Sequence, residues 1–400
     1  MEFDVVIVGG GPIGSNLACN LSKSNLSICL IEKKDIVGVP LQCAGIVSKH
    51  ILDYINIPQE IILNQVKGAF LHSQNNILKV NKEDPVAIII DRIKFDQYLF
   101  DKAISSGVTL LKNTVVDVDS INGTVKCIDG QLIKGKIIVG SDGFNSIISK
   151  KIGNELENIN ATQFLVKIDK EKIKEFRNNS NLFNDYIDVQ INDDILPGFI
   201  WVIPYADDSY RIGLFSDNDF DYQTNILNEF LNANFKDSHE ILRETKGIIP
   251  KYNQTNKLTS SRVILLGDSS SKIKPTTGGG LVIGFDLSKI AEKYIIEATE
   301  KNNIAILNEF DNKFNDKYFD ELNYQLKLQK TFAMFSNEDF DHIFKKLKEN
   351  GCESLISDYG HMDKQSILIK EFLKRGLFFK LIPSFFMKKL SNMWNSTIKE

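Results

Sequence analysis

The stretch DVVIVGGGPIGSNLACNLSKSNLSICLIE, residues 4–32, decides the fold. An apolar run at 5–8 precedes three glycines, a helical apolar pattern follows them, and a second apolar run at 28–31 ends on an acid, Glu32. The order strand, glycine turn, helix, strand is typical of the first unit of a doubly wound α/β domain with a parallel sheet.

The glycine spacing in this stretch predicts a dinucleotide site. Gly9, Gly11 and Gly14 form a G-x-G-x-x-G pattern between strand and helix, and Glu32 follows about 20 residues later, as the fingerprint requires. Glycine lets backbone N–H groups approach a pyrophosphate at the helix N-terminus, and the acid accepts hydrogen bonds from a ribose. The alternative is a tight turn that only packs a helix on a sheet.

Composition indicates a globular protein and excludes some partners. The 400 residues are 42% hydrophobic and 25% charged, with a net charge of -4, so no basic field favours nucleic acid. The five cysteines are scattered without a CxxC pair or a Cys/His cluster. The pattern therefore predicts neither a disulfide framework nor a metal site.

The N-terminal residues and the absence of long apolar runs bear on location. The stretch MEFDVVIVGGG has no basic segment followed by a long apolar one, and no stretch approaches the roughly 18 apolar residues of a membrane span. We therefore expect a cytoplasmic protein.

The remaining pattern divides the chain into three parts. Helical spacing at 91–107 and a β-meander at 113–143 continue the nucleotide fold, while strand-like alternation from about 160 to 250 indicates a separate sheet. We predict a discontinuous cofactor-binding domain at 1–60, 85–160 and 255–300, a substrate-binding sheet domain at 61–84 and 161–254, and a helical region at 301–400.

A second glycine triplet lies in VILLGDSSSKIKPTTGGGLVIG, residues 263–284. The carboxylate of Asp268 can accept a ribityl hydroxyl, and the amides of Gly279, Gly280 and Leu281 at a helix N-terminus can stabilise negative charge on a reduced flavin. NAD requires no second glycine site so far along the chain, so the two triplets together favour FAD. An ordinary helix cap or linker loop is the alternative.

Taken in order, these motifs resemble the geranylgeranyl reductase family, within the flavoprotein group that includes p-hydroxybenzoate hydroxylase. The resemblance covers roughly 1–300 and includes a mid-chain Asp-Gly motif, SDGFNS, with Asp142 and Gly143. It implies a Rossmann-type FAD-binding domain with an inserted antiparallel sheet domain and a helical C-terminal region. It also implies that Asp268 binds the ribityl chain.

Two segments resemble the reductases more than the hydroxylases. VPLQCAGIVS resembles the reductase loop over the flavin, and LPGFIWVIP resembles the signature PxxYxWxFP, with Leu196 and Ile203 replacing Pro and Phe. Phe199 stands at the Tyr position and lacks its hydroxyl. A sheet core is the alternative for Phe199 and Trp201, and a plain buried thiol is the alternative for Cys43.

The resemblance assigns a site to these residues. Arg92 matches an arginine on the flavin side, with a surface salt bridge as the alternative. The predicted substrate contacts are Phe199, Trp201 and Pro204. The predicted cofactor contacts are Gly9, Gly11, Ile13, Gly14, Glu32, Cys43, Ala44, Ile46, Arg92, Val116, Asp268, Gly279, Gly280 and Leu281.

The implied activity is FAD-dependent saturation of C=C bonds in geranylgeranyl chains of archaeal-type membrane lipids. Cys43 or an ordered water is the candidate proton donor, and the electron donor is left open among ferredoxin, a nicotinamide or another reduced carrier. The alternatives are a flavin monooxygenase on an apolar or aromatic substrate and a non-catalytic lipid- or FAD-binding protein.

Residues 364–400 carry eight lysines and arginines against two acids, and they are rich in aromatic residues. This composition is typical of a helix that lies on an anionic membrane surface. A helical cap that packs on the body is the alternative. A helix on the membrane surface would make this a peripheral protein on the inner face of the membrane.

Overall fold

The structure is a computed structural model, and it describes residues 1–400 except 181, 183, 207, 378, 379 and 381–400. Its strands are β1 (Glu2–Val8), β2 (Ile28–Glu32), β3 (Ile46–Ser48), β4 (Ile62–Val66), β5 (Gly68–His72), β6 (Ile77–Asn81), β7 (Ala87–Ile90), β8 (Thr109–Lys112), β9 (Val115–Asp119), β10 (Thr124–Cys127), β11 (Leu132–Gly140), β12 (Asn158–Ile168), β13 (Tyr186–Gln190), β14 (Ile200–Ala206), β15 (Ser209–Ser216), β16 (His239–Pro250), β17 (Thr259–Ser260) and β18 (Val263–Leu265).

The helices are α1 (Pro12–Leu21), α2 (Arg92–Ser105), α3 (Ile147–Lys151), α4 (Lys170–Phe176), α5 (Phe220–Phe235), α6 (Leu281–Glu300), α7 (Glu309–Phe314), α8 (Asp320–Phe332), α9 (Asn337–Glu349), α10 (Cys352–Tyr359) and α11 (Ser366–Lys374). A π-helical segment, Asn315–Phe319, joins α7 to α8. Short 3-10 turns lie at Lys49–Asp53, Gln59–Ile61, Asp193–Ile195, Gly267–Ser270 and Ile304–Asn308.

The first sheet is the predicted nucleotide fold. Its strand order is β17-β18-β11-β1-β2-β8, and β10 and β9 extend from β11 as the predicted meander. β1 runs parallel to both β2 and β11, and these strands are almost wholly buried at their centres. Helices α1 and α6 pack on the same core as the side chains of Val5 and Ile7. The carboxyl ends of β1 and β18 therefore meet the N-termini of two helices.

The second sheet has the order β16-β12-β15-β14-β13-β5-β6 and is antiparallel except where β13 pairs with β5. Its two faces bury different side chains, because residues alternate along each strand. On β14, Ile200 and Val202 pack under α5, whereas Trp201 and Ile203 pack with the three-stranded sheet.

A third, three-stranded sheet with the order β3-β7-β4 joins the two larger sheets. β4 pairs with β7, while β5 and β6, which follow it in the chain, belong to the second sheet. The predicted residue numbers of the three domains stay a prediction.

The described part of 301–400 is helical, as predicted. A cluster that includes Phe340, Phe344 and Leu355 packs against Leu78 of β6. α9 begins with a reciprocal cap between Ser336 and Asp339. The predicted membrane-surface segment at 364–400 lies largely outside the described residues. None of the helices that the structure describes is long and apolar enough to cross a membrane.

Candidate functional site

One cavity of about 1240 Å³ connects the carboxyl ends of the first sheet to the aromatic face of the second. Walls are contributed by all three sheets and by the loop after α10. The structure brings most of the predicted site residues to this cavity, namely Gly9, Gly11, Ile13, Glu32, Cys43, Ala44, Ile46, Arg92, Phe199, Trp201, Asp268, Gly279, Gly280 and Leu281.

The three glycines of the first motif meet different surroundings. A Cβ on Gly9 would lie 2.3 Å from the carbonyl oxygen of Ser141, and a Cβ on Gly14 would lie 2.1 Å from that of Gly9. A Cβ on Gly11 would instead meet nothing within 4 Å and would occupy the cavity. Gly9 and Gly14 thus allow close backbone packing, and Gly11 leaves room for a ligand against the N-terminus of α1.

Glu32 is buried at the end of β2 and lines the same part of the cavity. Its Oε2 accepts a hydrogen bond of 2.6 Å from the backbone N–H of Gly10, and its Oε1 accepts one of 2.7 Å from that of Lys34. A carboxylate oxygen has a second lone pair, so Glu32 can also accept a ribose hydroxyl while it holds the glycine turn in place.

Asp268 presents its carboxylate to the cavity from the turn after β18. Although the side chain is exposed to the open cavity, the surrounding protein atoms raise the pKa of this carboxylate, with the charge of Arg92 opposing the shift and that of Asp96 adding to it. None of the described residues donates a hydrogen bond to this carboxylate. An acceptor that is open to the cavity and has no donor from the protein is suited to the hydroxyls of a ligand.

The second glycine triplet forms the start of α6. Gly278 has a φ of +66°, and a Cβ on Gly280 would lie 2.9 Å from Cγ2 of Ile273 and 3.3 Å from Oδ1 of Asp268. The backbone N–H groups of Gly279, Gly280 and Leu281 have no acceptor within the described part of the chain. They lie on the cavity wall at the positive end of a 20-residue helix.

These features fit FAD. The room at Gly11 suits a pyrophosphate, the unpaired carboxylate of Asp268 suits the ribityl hydroxyls, and the free N–H groups before α6 suit the electronegative edge of a flavin ring. The cavity joins all three positions.

The loop that carries Cys43 is held by a buried arginine that sequence reasoning did not identify. Arg211 of β15 donates a 2.7 Å hydrogen bond from Nη1 to the carbonyl oxygen of Ala44, and its guanidinium lies 4.3 Å from the centre of the Tyr205 ring. A Cβ on Gly45 would collide with Arg211 at 2.1 Å. Burial lowers the pKa of Arg211, and Cys43 opposes the shift. The sequence signal that could have identified Arg211 is its position between apolar residues on a predicted strand.

Arg92 begins α2 and forms two hydrogen bonds of 3.1 Å with the carboxylate of Asp96. Burial lowers the pKa of Arg92, but the charge of Asp96 and the nearby Cys43 raise it more. Both members of the pair line the cavity, so Arg92 is part of the wall between α2 and the Cys43 loop.

The predicted aromatic residues form one wall of the cavity. The ring of Phe199 lies 6.3 Å from that of Trp201 and 5.1 Å from that of Phe215, measured between centres. The indole N–H of Trp201 donates a 3.1 Å hydrogen bond to Oε1 of Gln163, which is buried on the neighbouring part of the sheet. The wall is therefore apolar toward the cavity and has its indole nitrogen paired.

Three predicted contacts need correction, because the structure places their side chains elsewhere. Gly14 does not line the cavity and instead packs α1 on β1. Val116 is exposed on the outer face of β9, and the preceding residue Val115 lines the cavity in its place. Pro204 lies on the far face of β14 from Trp201, since the two are three residues apart, and Ile203 takes the predicted position.

Sequence reasoning also missed the loop after α10. Met362 packs with the cluster that contains Trp201 and Phe215, and the neighbouring carboxylate of Asp363 accepts a 2.9 Å ion-paired hydrogen bond from Lys274. His361 and Met362 line the cavity. No motif marks this loop, because only the packing of the C-terminal helices brings it to the cavity.

Potential metal ligands come together at the same loop. His50, His361 and Asp363 have ligand atoms within 4.8 Å of one another, the one such group in the described part of the chain. However, Nδ1 of His361 accepts hydrogen bonds from the backbone N–H groups of Asp363 and Lys364, so its Nε2 carries the proton. Lys274 also holds the carboxylate. The group is therefore poorly suited to a cation.

Comparisons with known proteins identify relatives of this chain. Digeranylgeranylglycerophospholipid reductase 2 of Methanococcoides burtonii is 25% identical over 377 residues, which cover 88% of this chain and 90% of that protein. An uncharacterised protein of Methanocaldococcus jannaschii is 29% identical over 395 residues, or 95% and 98% of the two chains.

A solved structure agrees with these relatives. The geranylgeranyl bacteriochlorophyll reductase-like protein from Thermoplasma acidophilum has a TM-score of 0.79 at 22% identity, covering 93% of this chain and 99% of that one. The resemblance to geranylgeranyl reductases and the predicted fold class are confirmed. The family described as lycopene cyclase protein matches residues 4–397. This match spans nearly the whole chain, so the protein belongs to that family.

Proposed function

We propose that this protein is an FAD-dependent reductase that saturates C=C bonds in the geranylgeranyl chains of archaeal-type membrane lipids. The observation that carries the proposal is the continuity of the cavity, which joins the fitted FAD positions to the wall of Phe199 and Trp201. A long apolar chain can thus reach the place where a flavin ring fits.

The chemistry divides between cofactor and protein. Bound and reduced, FAD supplies a hydride to one carbon of the double bond, while a proton must reach the other carbon. An isolated alkene is a poor electrophile, so positioning, exclusion of water and protonation must supply much of the rate. Phe199 and Trp201 hold the chain against the site and exclude water. Cys43, partly exposed on the cavity wall, is the candidate proton donor.

Positive side chains support a phosphate-bearing lipid. Lys49, Lys67 and Lys82 line the cavity, and none of the three forms a salt bridge with a described carboxylate. His50 and His361 lie beside them, and burial lowers the pKa of His361, with the charges of His50 and Lys82 contributing. Unpaired cations where an apolar cavity meets solvent are suited to an anionic head group outside a buried chain.

The aromatic wall gives a direct test. We expect Trp201→Ala to raise the apparent KM for a geranylgeranyl lipid about fivefold or more, or to change which bond is reduced, because truncation of a buried aromatic contact commonly costs over ~1 kcal/mol. FAD absorbance and loading should stay normal. Kinetics and products would be followed by mass spectrometry.

The matched control is Val202→Ala, which shortens the next side chain of the same strand on the opposite face, under α5. It should lower stability without changing KM or the product pattern. If Trp201→Ala binds FAD normally and leaves KM and products unchanged, the substrate wall lies elsewhere. If both variants change KM equally, the effect is one of sheet stability.

A further inference from the structure

Lys274 is a buried lysine beside the second glycine triplet. It is 5% exposed, and a Cβ on Gly279 would lie 2.7 Å from its Cε and 3.2 Å from its Nζ. The backbone N–H of Lys274 donates to the carbonyl oxygen of Gly279 at 3.1 Å, and its own carbonyl accepts from Gly278 at 2.9 Å. These bonds hold the backbone of Lys274 against the triplet, and its side chain lies on the cavity wall next to the free N–H groups that precede α6.

Its charge partner comes from the C-terminal loop. Nζ of Lys274 lies 2.9 Å from Oδ1 of Asp363 and donates to the carbonyl oxygen of Met362 at 3.2 Å. Burial raises the pKa of Asp363, but the charge and hydrogen bond of Lys274 outweigh it, so the net shift is downward. The carboxyl group of Asp363 is therefore ionised near neutral pH.

The two loops are also tied together without this ion pair. From α8, Gln325 donates to the carbonyl oxygen of Asp363 at 3.3 Å and accepts from Oγ1 of Thr276 at 3.3 Å. Gln329 donates to the carbonyl oxygen of Pro275 at 2.5 Å. A tether between the loops would thus remain if either charge were removed.

The position of the ammonium has an electrostatic consequence for a bound flavin. Reduction of FAD by two electrons and one proton adds one negative charge to the ring. A helix N-terminus offers about half a positive charge, whereas an ammonium group offers a whole one, in an enclosed site where charges act strongly. A carboxylate beside the ammonium offsets part of that effect.

We propose that Lys274 and Asp363 set the reduction potential of the cofactor, with Lys274 favouring the reduced form and Asp363 opposing it. The inference rests on the proposed function only in requiring that FAD occupies the cavity. The loop after α10, which carries Asp363, would thus affect the reduction potential of a cofactor that binds against the first sheet.

The test is an anaerobic redox titration of the FAD-loaded protein against reference dyes, with no lipid present. Lys274→Met should lower the two-electron potential and Asp363→Asn should raise it. We expect each change to alter the ratio of affinities for reduced and oxidised FAD about tenfold, which corresponds to ~30 mV. A purely structural ion pair predicts shifts of the same sign, since both variants break it.

Two further variants complete the test. Lys274→Arg should keep the potential near that of the parent. Lys272→Met removes a buried charge from the same loop, but Lys272 points to the carbonyl oxygens of Asn253 and Gln254 and does not line the cavity, so the potential should not move.

Shifts of equal sign, or no shift in Asp363→Asn, would overturn the inference. If Lys274→Met does not fold, the raised potential expected for Asp363→Asn still tests the inference, with Lys274→Arg as the control of unchanged charge. A parent protein that holds no FAD would instead refute the proposed function, so the two failures are distinguishable.

Discussion

The two glycine triplets stand at equivalent places, each before a helix N-terminus, yet their glycines are needed for different reasons. In the first motif, added Cβ atoms at Gly9 and Gly14 would strike backbone carbonyl oxygens at 2.3 and 2.1 Å. In the second, the atoms met first are side-chain carbons of Ile249, Lys274 and Ile273. Gly9 and Gly14 of the first motif are therefore required by close backbone packing, whereas the glycines of the second motif first meet side chains.

The largest expected effect is on folding, at Gly14. Gly14→Ala should lower the free energy of unfolding by about 3 kcal/mol, because backbone atoms cannot move aside as side chains do. Chemical denaturation of the FAD-free protein measures it. Gly11→Ala is the control within the same motif, since its Cβ would meet no protein atom within 4 Å. A Gly14→Ala protein as stable as Gly11→Ala would contradict the distinction.

The next effect is on the cofactor, at Asp268. Asp268→Ala should weaken FAD binding by about 1–3 kcal/mol, because buried ribityl hydroxyls lose their acceptor. Fluorescence titration with FAD gives the affinity, and thermal unfolding without FAD checks the fold. Unchanged FAD affinity would remove Asp268 from the site.

A smaller effect is expected at Glu32, whose carboxylate holds the glycine turn and can also accept a hydrogen bond from the ligand. Glu32→Gln should weaken FAD binding by about 1 kcal/mol, because a charge-assisted hydrogen bond to ribose becomes a neutral one. It should also lower stability, since the amide can no longer accept on both atoms from Gly10 and Lys34. If only stability falls, the acid serves the turn alone.

The smallest effect on folding is expected at Gly280. Its φ is -113°, which other residues adopt, and the nearest obstacle is the methyl group of Ile273 at 2.9 Å. Gly280→Ala should cost about 1 kcal/mol of unfolding free energy, less than Gly14→Ala, while it lowers FAD affinity. A loss of stability like that of Gly14→Ala would mean that the second triplet is also a packing motif.

The same contrast explains what the sequence could predict. Both glycine motifs, the acid Glu32 and the aromatic pair Phe199 and Trp201 follow from local patterns, and the structure brings them to one cavity. Which residues of a strand face the cavity was harder to predict. Pro204 and Val116 were predicted, but the adjacent residues line the cavity wall. His361 and Met362 reach the site only through the packing of the C-terminal helices, which no local spacing records.

Reduction of a prenyl double bond by this protein can be followed in a single turnover. The FAD-loaded protein is reduced without oxygen and mixed with a geranylgeranyl lipid in an amount equal to the flavin, and the lipid is then examined by mass spectrometry. We expect a gain of two hydrogens in one double bond as the flavin reoxidises. A lipid of unchanged mass, or a product that forms only with oxygen, would contradict it.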